Sequence, residues 1–205
     1  MPVMSTELTP THSAFLELKE ERVGMQEGYR FLDEKRLVLA AELMAQLRAL
    51  EQAWERYRQR QQHALEALME AVGRHGLEGI QLAPVDGELD GDLGLQSRRV
   101  LGVEIQEGHC SLQAPIAKAL HSPELRRCAE AFRELVPEAA QLATIGNTLE
   151  RLRSEYLKTA RRARALEDVL LPEIDASLQA IASALEEMER EDAIRVRRVG
   201  RGGQG

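Results

Sequence analysis

The chain has 205 residues, 30% of them charged and only 3% aromatic, with a formal net charge of −7. An acidic balance of this kind excludes the basic surplus of a general nucleic-acid binder. The shortage of aromatics suits long solvated helices joined by a thin seam better than a large enclosed core. Two cysteines, Cys110 and Cys128, lack metal-ligand spacing, so a reducing compartment is the simpler expectation. No apolar run reaches the roughly 20 residues needed to cross a bilayer. Residues 1–9 lack the basic-then-apolar layout of a secretory signal, so a cytoplasmic chain is expected.

A first long helix is expected over 10–75. Thr9 or Thr11 can cap it, and Pro10 fits a first turn, where its missing N–H costs nothing. Its apolar seam runs Phe15, Leu18, Met25, Tyr29, Leu32, Leu39, Leu43, Leu47, Leu50, Trp54, Tyr57, Leu65, Leu68 and Val72. Arg22, Arg36 and Gln61 interrupt that seam, and polar residues there trade stability for register. Gly24 and Gly28 sit inside the helix at about 1 kcal/mol each relative to alanine. They mark either a close backbone approach or a tolerated weak spot. Gly73 and Gly76 are placed to end the helix.

The middle, 76–113, is rich in glycine and holds Pro84, so it continues neither rod. Val100, Leu101, Val103 and Ile105 around Gly102 read as a small β-hairpin. A short helical segment over 114–137 follows, capped by Ser122 with Pro123 at its first position and bent or broken at Pro137.

The final helix, 138–199, carries the clearest pattern in the chain. Leu142, Ile145, Leu149, Leu152, Tyr156, Thr159, Ala163, Leu166 and Leu170 recur in alternating steps of three and four. At Leu166, Leu170, Ile174 and Leu178 the steps become successive fours, which reads as a stutter. Regular spacing resumes at Ile181, Leu185 and Met188, and Pro172 predicts a kink. A tail, 200–205, closes the chain. The fold class is therefore all-α: a long antiparallel two-helix coiled coil of N- and C-terminal helices, with a short helix and a small hairpin in the middle.

Catalytic motifs are not found. There is no phosphate loop followed by Lys-Ser or Lys-Thr, no serine elbow and no paired-histidine helix. Asp86, Glu88, Asp90 and Asp92 imitate the start of a calcium loop, but the bidentate glutamate falls at Ser97 and Pro84 blocks an incoming helix. His12, His63, His75, His109 and His121 are scattered. No cofactor, metal or catalytic residue is expected, and an enzyme in its own right would need a convergent polar site that the middle segment does not offer.

Several stretches carry a family resemblance. Thr159-Ala160-Arg161-Arg162-Ala163-Arg164-Ala165-Leu166-Glu167, followed by Val169-Leu170-Leu171-Pro172-Glu173-Ile174, resembles the signature of the D subunit of V-type and A-type rotary ATPases. So does the ending Glu189-Arg190-Glu191-Asp192-Ala193-Ile194-Arg195-Val196-Arg197-Arg198-Val199. Thr9-Pro10-Thr11 and Gly28 to Arg36 also look like that family, and Val100 to Val103 is a looser match to its central hairpin. The family usually has valine then asparagine where this chain has Ala163 and Arg164.

The resemblance implies a non-catalytic rotor component of the central stalk, cytoplasmic and peripheral to the membrane. Its partners would be the catalytic A and nucleotide-binding B subunits of the head, the small F subunit of the stalk and the funnel-shaped C subunit on the membrane ring. It implies neither nucleic acid nor direct membrane insertion. On it, Arg161, Arg162, Arg195, Arg197 and Arg198 are expected as partner contacts, and a solvated helix surface is the alternative for each. Without it, the periodicity fits a generic antiparallel coiled-coil scaffold or tether equally well.

Overall fold

In the computed structural model, residues 10–82, 91–112 and 122–202 are described, apart from the side chains of 199–202. Thr9, Pro84, the acids from Asp86 to Asp90, and His121 lie outside them, as does the start of the expected 114–137 segment. Helix α1 spans His12–Gln81, strand β1 Gly91–Val100, strand β2 Val103–Leu112, helix α2 Pro123–Ala165 and helix α3 Leu171–Gly202. A π-turn at Leu166–Leu170 joins α2 to α3.

Local chemistry explains the ends. Thr11 Oγ1 accepts a hydrogen bond from the Ala14 N–H at 3.1 Å and so caps α1. Gly76 leaves helical geometry at φ 68° and ψ 167°, and one further helical stretch follows it to Gln81. The helix expected to stop at Gly73 and Gly76 thus breaks only at the second glycine, the one in the left-handed region. Pro137 lies inside α2, which stays helical across it. Arg60–Glu134 and Arg56–Glu138 ion pairs bracket that proline and hold both sides of the lost backbone hydrogen bond against α1.

The chain divides into two compact units: residues 1–37 with 157–205, and residues 38–156. In the first unit the helices run antiparallel. His12 meets Glu189, Arg22 meets Asp175, and Gly28 faces Leu166, so advance along one helix is retreat along the other. Leu18, Ile174 and Ile181 are buried at its centre, with Phe15, Met25, Leu178 and Leu185 packed around them.

The second unit is also an antiparallel helix pair, carrying the hairpin. Leu39, Val103 and Leu152 form its apolar cluster, joined by Leu43 and Tyr156. Beyond that cluster alanine supplies much of the seam: Ala53, Ala64 and Ala71 are wholly buried and Ala131 nearly so, with Ile145 buried beside them. Leu47, Trp54 and Leu65, expected in the seam, are instead 42%, 53% and 48% exposed. Small side chains at the contact line set a narrow interface, and the large ones fall on the neighbouring face. Trp54 there stacks on Tyr57 with ring centroids 5.8 Å apart.

The hairpin pairs Val100 with Val103 through the two-residue turn Leu101-Gly102, both at positive φ. That is the turn whose twist matches two antiparallel strands, and Gly102 takes its strained position without cost. Val103 and Ile105 are buried, whereas β1 is exposed from Gly91 to Arg99. Thr148 Oγ1 accepts from the Gln106 N–H at 3.2 Å and is also within 3.3 Å of the Gln106 carbonyl. Gly108 lies so close to Thr144 that an added Cβ would sit 2.4 Å from its hydroxyl.

Candidate partner-contact surface

In the first unit, Arg161 and Arg162 project from the last turns of α2 and are exposed. Arg161 Nε donates to the Leu157 carbonyl one turn back at 3.3 Å, which binds its root and leaves the rest of the guanidinium in solvent. Arg195, Arg197 and Arg198 lie far along α3 and are also exposed. Arg195 approaches Asp192 at 3.8 Å, an exposed same-helix pair worth about 0.3–0.5 kcal/mol. Among the described residues, Arg197 and Arg198 take part in no ion pair. The structure does not gather the five arginines into one patch: two precede the π-turn and three follow it.

Residues read from sequence as seam behave unequally. Leu152, Ile174, Ile181 and Leu39 are buried, and Leu149, Tyr156, Leu166, Leu178, Leu185, Tyr29, Leu32 and Leu43 are half-buried. Leu170 is 38% exposed. It belongs to the π-turn, whose widened backbone carries it off the line of contact.

Around the π-turn the polar groups are placed with care. Burial first, then the neighbouring Glu167 carboxylate, pushes the Tyr29 phenol up from the ordinary tyrosine value. A hydrogen bond to Asp175 likewise holds the Arg22 guanidinium above its usual value.

A second polar cluster escaped sequence reading because its members lie far apart in the chain. In the second unit His75 Nε2 sits 2.7 Å from Ser122 Oγ, which donates to Glu124 Oε2 at 2.6 Å. Since the serine proton is committed to the carboxylate, Nε2 must be the donor of the first bond. Glu124 is buried, and the Ser122 hydroxyl, then its own backbone N–H, holds its carboxyl below the usual range; Arg74 and Arg127 add to this. The Glu124 carboxylate bonds the serine and stands 3.8 Å from His75 Nε2, so the trio is a clamp between the end of α1 and the start of α2. Burial also pushes the Cys128 thiol up. Among the described residues no three His, Cys, Asp or Glu converge as metal ligands, and no helix is long and apolar enough to cross a membrane.

Residues 14–201 match the family model of the ATP synthase D subunit, a span that takes in both units, the hairpin and all five arginines. This chain belongs to the ATP synthase D-subunit family. Its similarity to curated members of the family is low in identity but nearly complete in length. The A-type ATP synthase D subunit of Methanoregula boonei is 29% identical over 94% of this chain and 95% of its own. The V-type ATP synthase D subunit of Thermus thermophilus is 28% identical over 95% and 88% respectively. That of Thermotoga neapolitana is 27% identical over 94% and 96%. Two-helix packing tolerates such divergence, because a seam constrains which positions are apolar or small more than which residue fills them.

Proposed function

We propose that this chain is the non-catalytic central rotor shaft of a V-type/A-type ATPase or ATP synthase, cytoplasmic and peripheral to the membrane. It couples ATP hydrolysis or synthesis in the catalytic head to ion translocation through the membrane ring. The observation that carries this reading is the full-length match to the D-subunit family, laid over paired antiparallel helices in both units.

The mechanism is conformational coupling. An asymmetric shaft presents a different face to each catalytic site as it turns, and so biases which site is open and which is closed. Strong fixed contacts would hold one angle. A surface of exposed, weakly paired charges such as Arg161, Arg162, Arg195, Arg197 and Arg198 allows contacts to be made and released at small cost. These arginines meet the inner wall of the head formed by the A and B subunits. The other partners are the small F subunit of the stalk and the funnel-shaped C subunit on the ring. Segments 10–75 and 138–199 serve as the two shaft helices, and α2 extends the second of them back to Pro123.

Co-expression with the small F subunit of the same complex tests the pairing: a stable one-to-one pair is expected. Removing the gene should leave membranes without ATP-driven ion pumping. A chain that forms no such pair, and whose loss leaves pumping intact, is a generic scaffold instead.

A further inference from the structure

Between Ala163 and Ile174 no side chain is buried, and on α1 none is buried from Lys19 to Leu37. The seam on the two sides of this gap is out of step. Continued from Thr159 and Ala163 by alternating three and four, it would reach Glu173 and Ser177; the apolar series resumes one residue later, at Ile174 and Leu178. The chain therefore contains a single residue in excess of the repeat. The Leu171 N–H bonds to the Leu166 carbonyl, five residues back instead of four, and that widened turn absorbs the excess. What reads in sequence as a stutter spread over several turns is thus one local π-turn.

Pro172 follows at once. In an unbroken α-helix its ring would press on the Asp168 carbonyl four residues earlier, and Asp168 lies within the widened turn. On the facing helix a Cβ at Gly24 would meet nothing within 4 Å, and at Gly28 only Leu166 Cδ1 at 3.9 Å. Close packing demands neither glycine, so their consequence is backbone freedom. The Arg22–Asp175 ion pair holds register beyond the turn, while Tyr29 faces Glu167 within it.

We propose that the Leu166–Leu170 π-turn and the facing Gly24–Gly28 segment form a compliant joint within the first unit, where its helix pair bends and twists. One residue in excess of the seam creates it. The joint rests on the geometry of this unit alone and is independent of the rotor assignment.

Amide hydrogen exchange on the full chain tests it. Residues 166–173 should exchange at least about tenfold faster than the turns at 158–163 and 176–183, and equal protection would overturn the joint. Deleting Asp168 together with Pro172→Ala restores the repeat, and should slow exchange at 166–173 to the flanking rate and raise Tm. Pro172→Ala alone keeps the excess residue, so fast exchange should persist. If Pro172→Ala alone abolishes it, or the deletion leaves it unchanged, the excess residue is not the cause. Should the deletion variant fail to fold, the native pattern and Pro172→Ala decide the matter.

Discussion

The two units solve one problem, holding two antiparallel helices together, with different materials. The first buries the large side chains Leu18, Ile174 and Ile181, with small ones, Thr159 and Ala163, at one end. The second buries alanine at four helix positions and adds an apolar cluster where the hairpin docks. A buried alanine contributes about 2 kcal/mol less than a buried leucine, counted as three methylene-sized groups. Exposed ion pairs cross the helices in both units, and the second adds hydrogen bonds from Thr148 and the His75–Ser122–Glu124 clamp. A thin seam can therefore be strengthened by larger groups or by more numerous polar ones, and the two choices fail differently under mutation.

The sharpest way to break this comparison is truncation in the apolar clusters. Leu152→Ala should cost about 2–5 kcal/mol in denaturant unfolding, and Ile181→Ala a similar amount, because both are buried among other apolar side chains. Ala64→Leu asks the opposite question. A leucine at a wholly buried alanine must force the helices apart, so about 1–3 kcal/mol of destabilisation is expected there. Gly108→Ala should loosen the hairpin by a comparable amount through its clash with Thr144, read as faster amide exchange across β2.

Smaller effects come from pH. Glu124 has a folded pKa below its ordinary 4.5, so its stabilising contribution is complete above that value and is lost as pH falls through the depressed one. Glu124→Gln should flatten the acid limb of the stability profile below about pH 4.5 while leaving the shape near neutrality unchanged. The least effect is a gain: Gly24→Ala should stabilise the first unit by up to about 1 kcal/mol, since its new Cβ meets nothing.

How much of this was legible depended on side-chain size. Ile174, Ile181 and Leu152 announce their seam because branched apolar residues recur at heptad spacing, and the structure buries them. Ala53, Ala64 and Ala71 gave no such signal, since alanine carries little hydropathy and Leu47, Trp54 and Leu65 lie close by on the same helix. Leu170 fitted the spacing but not the contact, because periodicity cannot tell an excess residue spread over several turns from one absorbed in a single π-turn. The clamp was invisible for a different reason: His75 and Ser122 are 47 residues apart and meet only after folding. The exposure of Arg161, Arg162, Arg195, Arg197 and Arg198 follows from their spacing relative to the seam. A partner contact for them would be written in another chain's sequence, not in this one.

One measurement bears most directly on the rotor assignment. A complex isolated from membranes through a tag on this chain, and counted by native mass spectrometry, should contain one copy of it for every three P-loop catalytic subunits. One copy for each catalytic subunit, or a complex with none, would contradict a single central shaft.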